Sequence, residues 1–208
     1  MNEIYNEDYR KTITRIEKIP NLIIAGPPDA DELDMKADSE DYFNFIKDFC
    51  NNMTKVSDTV CVIITDRKSN GIIPKHSNII QHFKENGYRV LAHKIWLKSL
   101  SINLFRLTYS HIMIFTRVKP KQNKVKEYMP DVWESKYENH RGFKNGFPIE
   151  FISRIINTFT NEGDLVYDPF MGTGSTALAC LKNKRKYIGS ELSKQIYDIS
   201  MERLSNDT

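Results

Sequence analysis

The chain has 208 residues, enough for one α/β domain with a real core. Its 40% hydrophobic and 27% charged content is that of a water-exposed globular fold, and no apolar run approaches the 18 residues a membrane span needs. A net charge of +3 permits nucleic-acid binding without arguing for it. The acidic start, Met1 to Asp8, lacks an apolar stretch, so no signal peptide is expected. Cys50, Cys61 and Cys180 stand apart in apolar surroundings, as reduced residues of an intracellular protein do, cytoplasmic or, in a eukaryote, nuclear. His76, His82, His93, His111 and His140 are dispersed without ligand spacing, and no metal is expected.

In chain order, residues 3–5 read as a short strand and 9–17 as a helix, with Asp8 at the junction placed to cap it. Leu22–Ala25 is an apolar strand closed by Gly26-Pro27-Pro28-Asp29; two prolines cannot donate to a ladder, so they end the strand and turn carbonyls outward. The acidic stretch 30–40 is expected as a loop over that strand end. Tyr42, Phe45, Ile46 and Phe49 follow at helical spacing. Residues 59–65 form a β-branched run suited to a strand buried on both faces, ending in Asp66-Arg67-Lys68. A helix is predicted over Lys75–Glu85, stopped by Asn86-Gly87, then strands over 88–96 and Tyr109–Thr116 as an antiparallel pair at one end of the sheet.

Residues 117–146 break the rhythm. Arg117, Lys119, Lys121, Lys124, Lys126, Lys136, Arg141 and Lys144 alternate with acids and with Tyr128, Trp133 and Tyr137. Such a segment is either a solvated connection or a nucleic-acid contact in which cations meet phosphates and rings meet bases.

The densest chemistry lies further on. A strand over 165–167 runs into Asp168-Pro169-Phe170-Met171-Gly172-Thr173-Gly174-Ser175-Thr176, a helix of small residues over 177–181, and a strand over 187–189 ending in Glu191. Strand, Gly-rich turn, helix, strand and acid is a half-Rossmann ligand site. Gly172 and Gly174 let backbone amides approach a ligand, and Glu191 can accept from two ribose hydroxyls. The third glycine of a dinucleotide fingerprint is missing, and an acid precedes the turn. Asp168 would repel a pyrophosphate but suits a cationic amino-acid moiety, which favours S-adenosyl-L-methionine.

At this point the residues resemble a family. Asp-Pro-Phe-x-Gly-Thr-Gly-Ser-Thr at 168–176, preceded by Phe147-Pro148 and a helix, is similar to the cofactor motif of the amino-methylating DNA methyltransferases. A Pro-Pro motif near the N-terminus and the cofactor motif near the C-terminus is the order of their permuted beta class. The resemblance implies a single methyltransferase domain over 1–208: a Rossmann-like, mostly parallel sheet with helices on both faces and an antiparallel end. It implies methyl transfer to the exocyclic amine of cytosine (N4) or adenine (N6), on a base flipped from duplex DNA. Asp8, Phe147, Pro148, Asp168, Phe170, Gly172, Gly174, Ser175, Thr176 and Glu191 would hold the cofactor; residues 117–146 would hold the short recognition region. That region is small, so a second copy or a partner protein would add specificity. No membrane partner is implied.

One motif departs from the family. Its catalytic tetrapeptide runs Asp, Asn or Ser, then Pro-Pro, then an aromatic; here Gly26, Pro27, Pro28 and Asp29 fill those places. Gly26 offers only a carbonyl, so Asp29 would supply the acceptor for the target amine. Tyr42, Trp96 or Tyr109 would supply the stacking ring, with Asp66 and Lys68 as further candidates on the neighbouring loop. The alternatives are an RNA amino-methyltransferase of the same fold and a catalytically silent binder of cofactor or DNA.

Overall fold

The structure, a computed structural model, describes residues 2–69, 71–98, 107–119, 122–125, 127–140 and 143–207. Its centre is an eight-stranded sheet. The first five strands in spatial order are β1 (Asn2–Tyr5), β12 (Lys186–Ser190), β11 (Leu165–Asp168), β2 (Leu22–Ala25) and β3 (Thr59–Ile64), all parallel. Then β7 (Tyr109–Thr116) runs antiparallel between β3 and β6 (Arg89–Leu97), and β8 (Val132–Glu134) adds an edge parallel to β6.

This is the mostly parallel sheet with an antiparallel end that the sequence predicts. The central strands are buried on both faces, which is why β2, β3 and β11 read as continuous apolar runs rather than alternating ones. Each face carries its own core. One is sealed by α2 (Glu40–Val56) and α3 (Lys75–Glu85) through Ile46, Phe49 and Phe83. The other lies under α4 (Ile149–Phe159) and α5 (Ser175–Lys182) through Phe151, Ile155 and Leu178, with Leu204 reaching it from α6 (Lys194–Asp207).

Three elements differ from expectation. The helix predicted over 9–17 is only α1 (Tyr9–Ile13), because Thr12, Ile13 and Thr14 are weak helix formers and the Thr14 hydroxyl donates to the Lys11 carbonyl at 2.7 Å. Within the predicted loop 30–40, Ala30–Leu33 forms a 3-10 turn. The loop after β3 folds into a hairpin of β4 (Arg67–Ser69) and β5 (Gly71–Ile73). Segment 117–146 contributes β8 and the pair β9 (Glu138–His140) and β10 (Phe143–Gly146), so part of it is built into the sheet edge. Lys121, Lys126 and Arg141 lie outside the described residues.

Among the described residues no helix is long and apolar enough to cross a membrane.

Candidate active site

The carboxyl ends of parallel strands leave backbone groups facing an open crevice. Here a cleft of about 640 Å³ opens across the ends of β2, β11 and β12. Strands β2 and β11 are hydrogen-bonded neighbours, with Leu22 opposite Val166 and Ile23 opposite Tyr167, so the Pro-Pro turn and the Gly-rich turn stand side by side. Asp8, Gly26, Pro27, Pro28, Asp29, Phe147, Asp168, Phe170, Gly172, Ser175, Thr176 and Glu191 all line it. Pro148 and Gly174 are not among the lining residues. Pro148 starts α4, its carbonyl accepting from the Ile152 N–H, and Gly174 turns toward Ser200 on α6. Asp66 and Lys68 do not line the cleft either, because the chain turns away into the β4–β5 hairpin.

On the cofactor-motif side, Asp168 ends β11 and is 2% exposed. Its carboxylate accepts from the Thr176 hydroxyl at 2.6 Å and the Phe170 N–H at 2.9 Å. Burial pushes the carboxyl up to about 7, against those two donors. Gly172, at φ +55°, donates its N–H to Glu191 Oε2 at 3.0 Å, and the Ser193 N–H reaches Oε1 at 2.9 Å. Glu191 is thereby held at the cleft mouth, its carboxyl raised by burial. Asp8 both lines the cleft and caps α1, accepting from the Arg10 N–H at 2.8 Å. The Phe170 ring is wedged against Tyr9 and Phe49, at 5.3 and 5.5 Å between centroids.

On the Pro-Pro side, the Pro28 carbonyl accepts from the Tyr42 hydroxyl at 3.0 Å. Asp29 pairs with Lys75 Nζ, Arg67 Nη1 lies 3.8 Å away, and the Asp29 N–H donates to Glu32 at 3.1 Å. Lys75 is 1% exposed at the first position of α3. A cation there opposes the helix dipole, so the Asp29 carboxylate is the charge that holds it.

The expected stacking rings are elsewhere. Tyr42 and Trp96 are fully buried, Tyr42 tied to Pro28 and Trp96 donating its indole N–H to the Ser135 carbonyl at 2.9 Å. Tyr109 packs on His111 and is not among the lining residues. Against the Pro-Pro turn stands the Phe147 ring, packed on Gly26, and a further ring lining the cleft is Tyr137, from segment 117–146, half-buried, edge-on to Trp96 at 4.7 Å and hydrogen-bonded to the Thr65 and Ser110 side chains. Lys75 and Tyr137 were missed by sequence reasoning. For Lys75 a signal existed, a lone lysine directly after Pro74 at a helix start; for Tyr137 there was none beyond its place among charges.

The family model described as a DNA methylase of the N6/N4 methyltransferase type matches residues 4–202. The chain is 31% identical over 182 residues to the type II methyltransferase M.MjaI of Methanocaldococcus jannaschii, covering 69% of this chain and 60% of that protein. It is 30% identical over 173 residues to the type II methyltransferase M.MthZI of Methanothermobacter thermautotrophicus, covering 64% and 48%. The chain thus spans about half to three-fifths of the length of these curated relatives. Among solved structures, the cytosine-N4-specific PvuII DNA methyltransferase aligns over 99% of this chain and 90% of its own, with a TM-score of 0.82 at 15% identity. M1.HpyAVI in complex with S-adenosyl-L-methionine aligns over 98% and 100%, with a TM-score of 0.69 at 24% identity. These likenesses establish the fold. Because the family match runs through every strand of the sheet and both turns of the cleft, the chain belongs to the DNA methylase family of N6/N4 methyltransferases.

Proposed function

We propose that the protein transfers a methyl group from S-adenosyl-L-methionine to the exocyclic amine of cytosine (N4) or adenine (N6) in DNA. The observation that carries this reading is the joining of two motifs, distant in sequence, at the ends of hydrogen-bonded strands in one cleft. The cleft suits the cofactor. Its buried Asp168 carboxyl is poised to ionise beside an ammonium group, Glu191 offers oxygens to a ribose, and its volume is in the range of small-molecule sites. When bound, the cofactor supplies a methyl group already activated on a sulfonium.

The work left to this chain is orientation, polarisation and removal of a proton. Asp29 and the Gly26 and Pro27 carbonyls accept from the amino group of a base, raising electron density on its nitrogen. Lys75, paired with Asp29, holds its carboxylate in place. The proton released on methylation passes to Asp29. Tyr137 would give the base a ring to stack on, and Phe147 walls the cleft beside Gly26. No covalent enzyme intermediate is needed, and the three cysteines are buried with thiols pushed up by burial. Segment 117–146 would contact DNA, with a second copy or a partner protein extending recognition.

The test is transfer of tritiated methyl from S-adenosyl-L-methionine to mixed-sequence duplex DNA, followed by nucleoside mass spectrometry. N4-methylcytosine or N6-methyladenine is the expected product. Incorporation into single-stranded RNA alone would move the substrate to RNA. Cofactor binding without transfer to any nucleic acid would make the protein a silent binder.

A further inference from the structure

Three of the five histidines, dispersed in sequence, meet on one side of the sheet. Asp66 follows β3, His76 sits in the first turn of α3, His93 is in β6 and His111 in β7. None of them is among the residues lining the cleft. His76 Nδ1 is 2.7 Å from Asp66 Oδ2, His111 Nε2 is 3.4 Å from the same oxygen, and all three atoms lie within 4.8 Å of one another. The His76 and His111 rings stack at 4.0 Å.

Two features set this cluster apart from an ordinary buried ion pair. His111 is 6% exposed, yet its Nε2, aimed at Asp66, has no hydrogen-bond partner. A buried polar atom left unsatisfied is costly and calls for a cause. The opposite nitrogen, Nδ1, meets His93 Nε2 at 2.9 Å. In the tautomer whose Nδ1–H donates to His93, the His111 Nε2 lone pair faces Asp66 Oδ2, which is also 2.7 Å from His76 Nδ1, and a cation among these three atoms would satisfy the orphaned nitrogen. A ligating imidazole whose other nitrogen is fixed by a hydrogen bond is the usual outer-shell arrangement of a metal site. Asp66 Oδ1 is likewise held, accepting from the His76 N–H at 3.1 Å.

We propose that Asp66, His76 and His111 form a Zn²⁺ site, with His93 orienting His111. One carboxylate oxygen and two imidazole nitrogens are a borderline-soft donor set that suits zinc, with water in the fourth position. Tetrahedral bonds of about 2.0 Å place ligand atoms roughly 3.3 Å apart, so the 3.4 Å pair is nearly in place, the 2.7 Å pair must open, and the stacked His76 and His111 rings must splay for both lone pairs to reach one ion. The metal would tie the strand ends of β3 and β7 to the start of α3. Lys75, next to His76, holds Asp29 in the cleft, while Thr65 and Ser110, next to Asp66 and His111, bond Tyr137 from the other face. The metal would thus brace the wall behind the cleft.

The test is Zn²⁺ binding to the whole, metal-stripped protein, by competition with a chromophoric chelator and by thermal melting. One equivalent of Zn²⁺ is expected, with a Tm that rises on addition and falls back on chelation. His76→Gln, at a partly exposed position, and His111→Gln should abolish both; His93→Gln should weaken affinity 10-fold or more without abolishing it. His82→Gln, a histidine outside the cluster, should change neither. Loss of binding in His76→Gln, with its fold verified by circular dichroism, supports the site even if His111→Gln misfolds. A wild-type protein that takes up no zinc, or zinc retained at full stoichiometry in His76→Gln, overturns the proposal.

Discussion

The Phe147 ring stands where a side chain on Gly26 would have to go. A Cβ at Gly26 would lie 2.6 Å from Phe147 Cζ and 2.9 Å from Cε2, closer than carbon atoms pack. The atypical glycine of the Pro-Pro motif and the phenylalanine before α4 are therefore one steric unit. The Phe147 ring fills the space a side chain at position 26 would take, and in the proposed reaction the acceptor role falls to Asp29.

Gly26→Ala should therefore overpack the cleft wall and cost about 1–3 kcal/mol by urea denaturation. In a Phe147→Ala background the same change should cost less than about 1 kcal/mol, since the ring it meets is gone. Equal costs in both backgrounds would remove the steric link.

Asp29 pairs with Lys75 and is also the acceptor in the proposed reaction, and the two roles can be separated. Asp29→Ala should leave cofactor affinity within about twofold by calorimetry and reduce methyl transfer 10²-fold or more. It should also cost about 2 kcal/mol of stability, less than for a fully buried pair because Asp29 is 36% exposed. Asp29→Ala combined with Lys75→Met should recover most of the stability and none of the turnover. Recovery of turnover in the double variant would show that Asp29 acts only by holding Lys75.

The buried Asp168 carboxyl predicts a pH dependence of cofactor binding. Its value in the folded, ligand-free protein is raised to about 7 from the ordinary 3.8. Below about pH 7 the group carries a proton that must leave when a cationic ligand arrives. Affinity should weaken by up to tenfold per pH unit as pH falls below 7, and level off above it. The stability term has the opposite sense. Folding favours the protonated form, so this contribution is fully present below pH 4 and is lost as pH rises through 7. Calorimetry in buffers of different ionisation enthalpy should detect proton release at pH 6, and Asp168→Asn should abolish that release while weakening binding. No proton release in the wild type would place the cofactor's charge away from Asp168.

Arg203 joins the Gly-rich turn to segment 117–146. Its Nη2 is 2.6 Å from Glu138 Oε2, and its Nη1 is 3.3 Å from the Thr173 carbonyl. Arg203→Met, which keeps most of the apolar stem, should raise the cofactor Kd about tenfold and speed proteolysis within 127–146. Faster proteolysis with an unchanged Kd would confine Arg203 to anchoring the segment.

The boundaries of β2 and β7, and β3 and β11 to within one residue, were legible in the sequence, as were both turns of the cleft. So was the order of strand, Gly-rich turn, helix, strand and acid over 165–191, though not the Gly172–Glu191 hydrogen bond. These are local properties: a strand buried on both faces must be apolar throughout, and a turn that approaches a ligand needs glycine whatever surrounds it. The edge strand β8 was not legible, because three residues carry too little periodicity to declare themselves. Burial of Trp96 and Tyr42, the placing of Tyr137 in the cleft wall, the Lys75–Asp29 pair and the meeting of Asp66 with His76, His93 and His111 were decided by tertiary structure alone. Each depends on which strands are neighbours and in what register: Ile64 opposite His111 and His93 opposite Met113 bring the histidines together, and slipping one strand by a residue would send its side chains to the other face. The sequence by itself determined what chemistry each strand end could offer, and the order and register of the strands decided which of those groups meet.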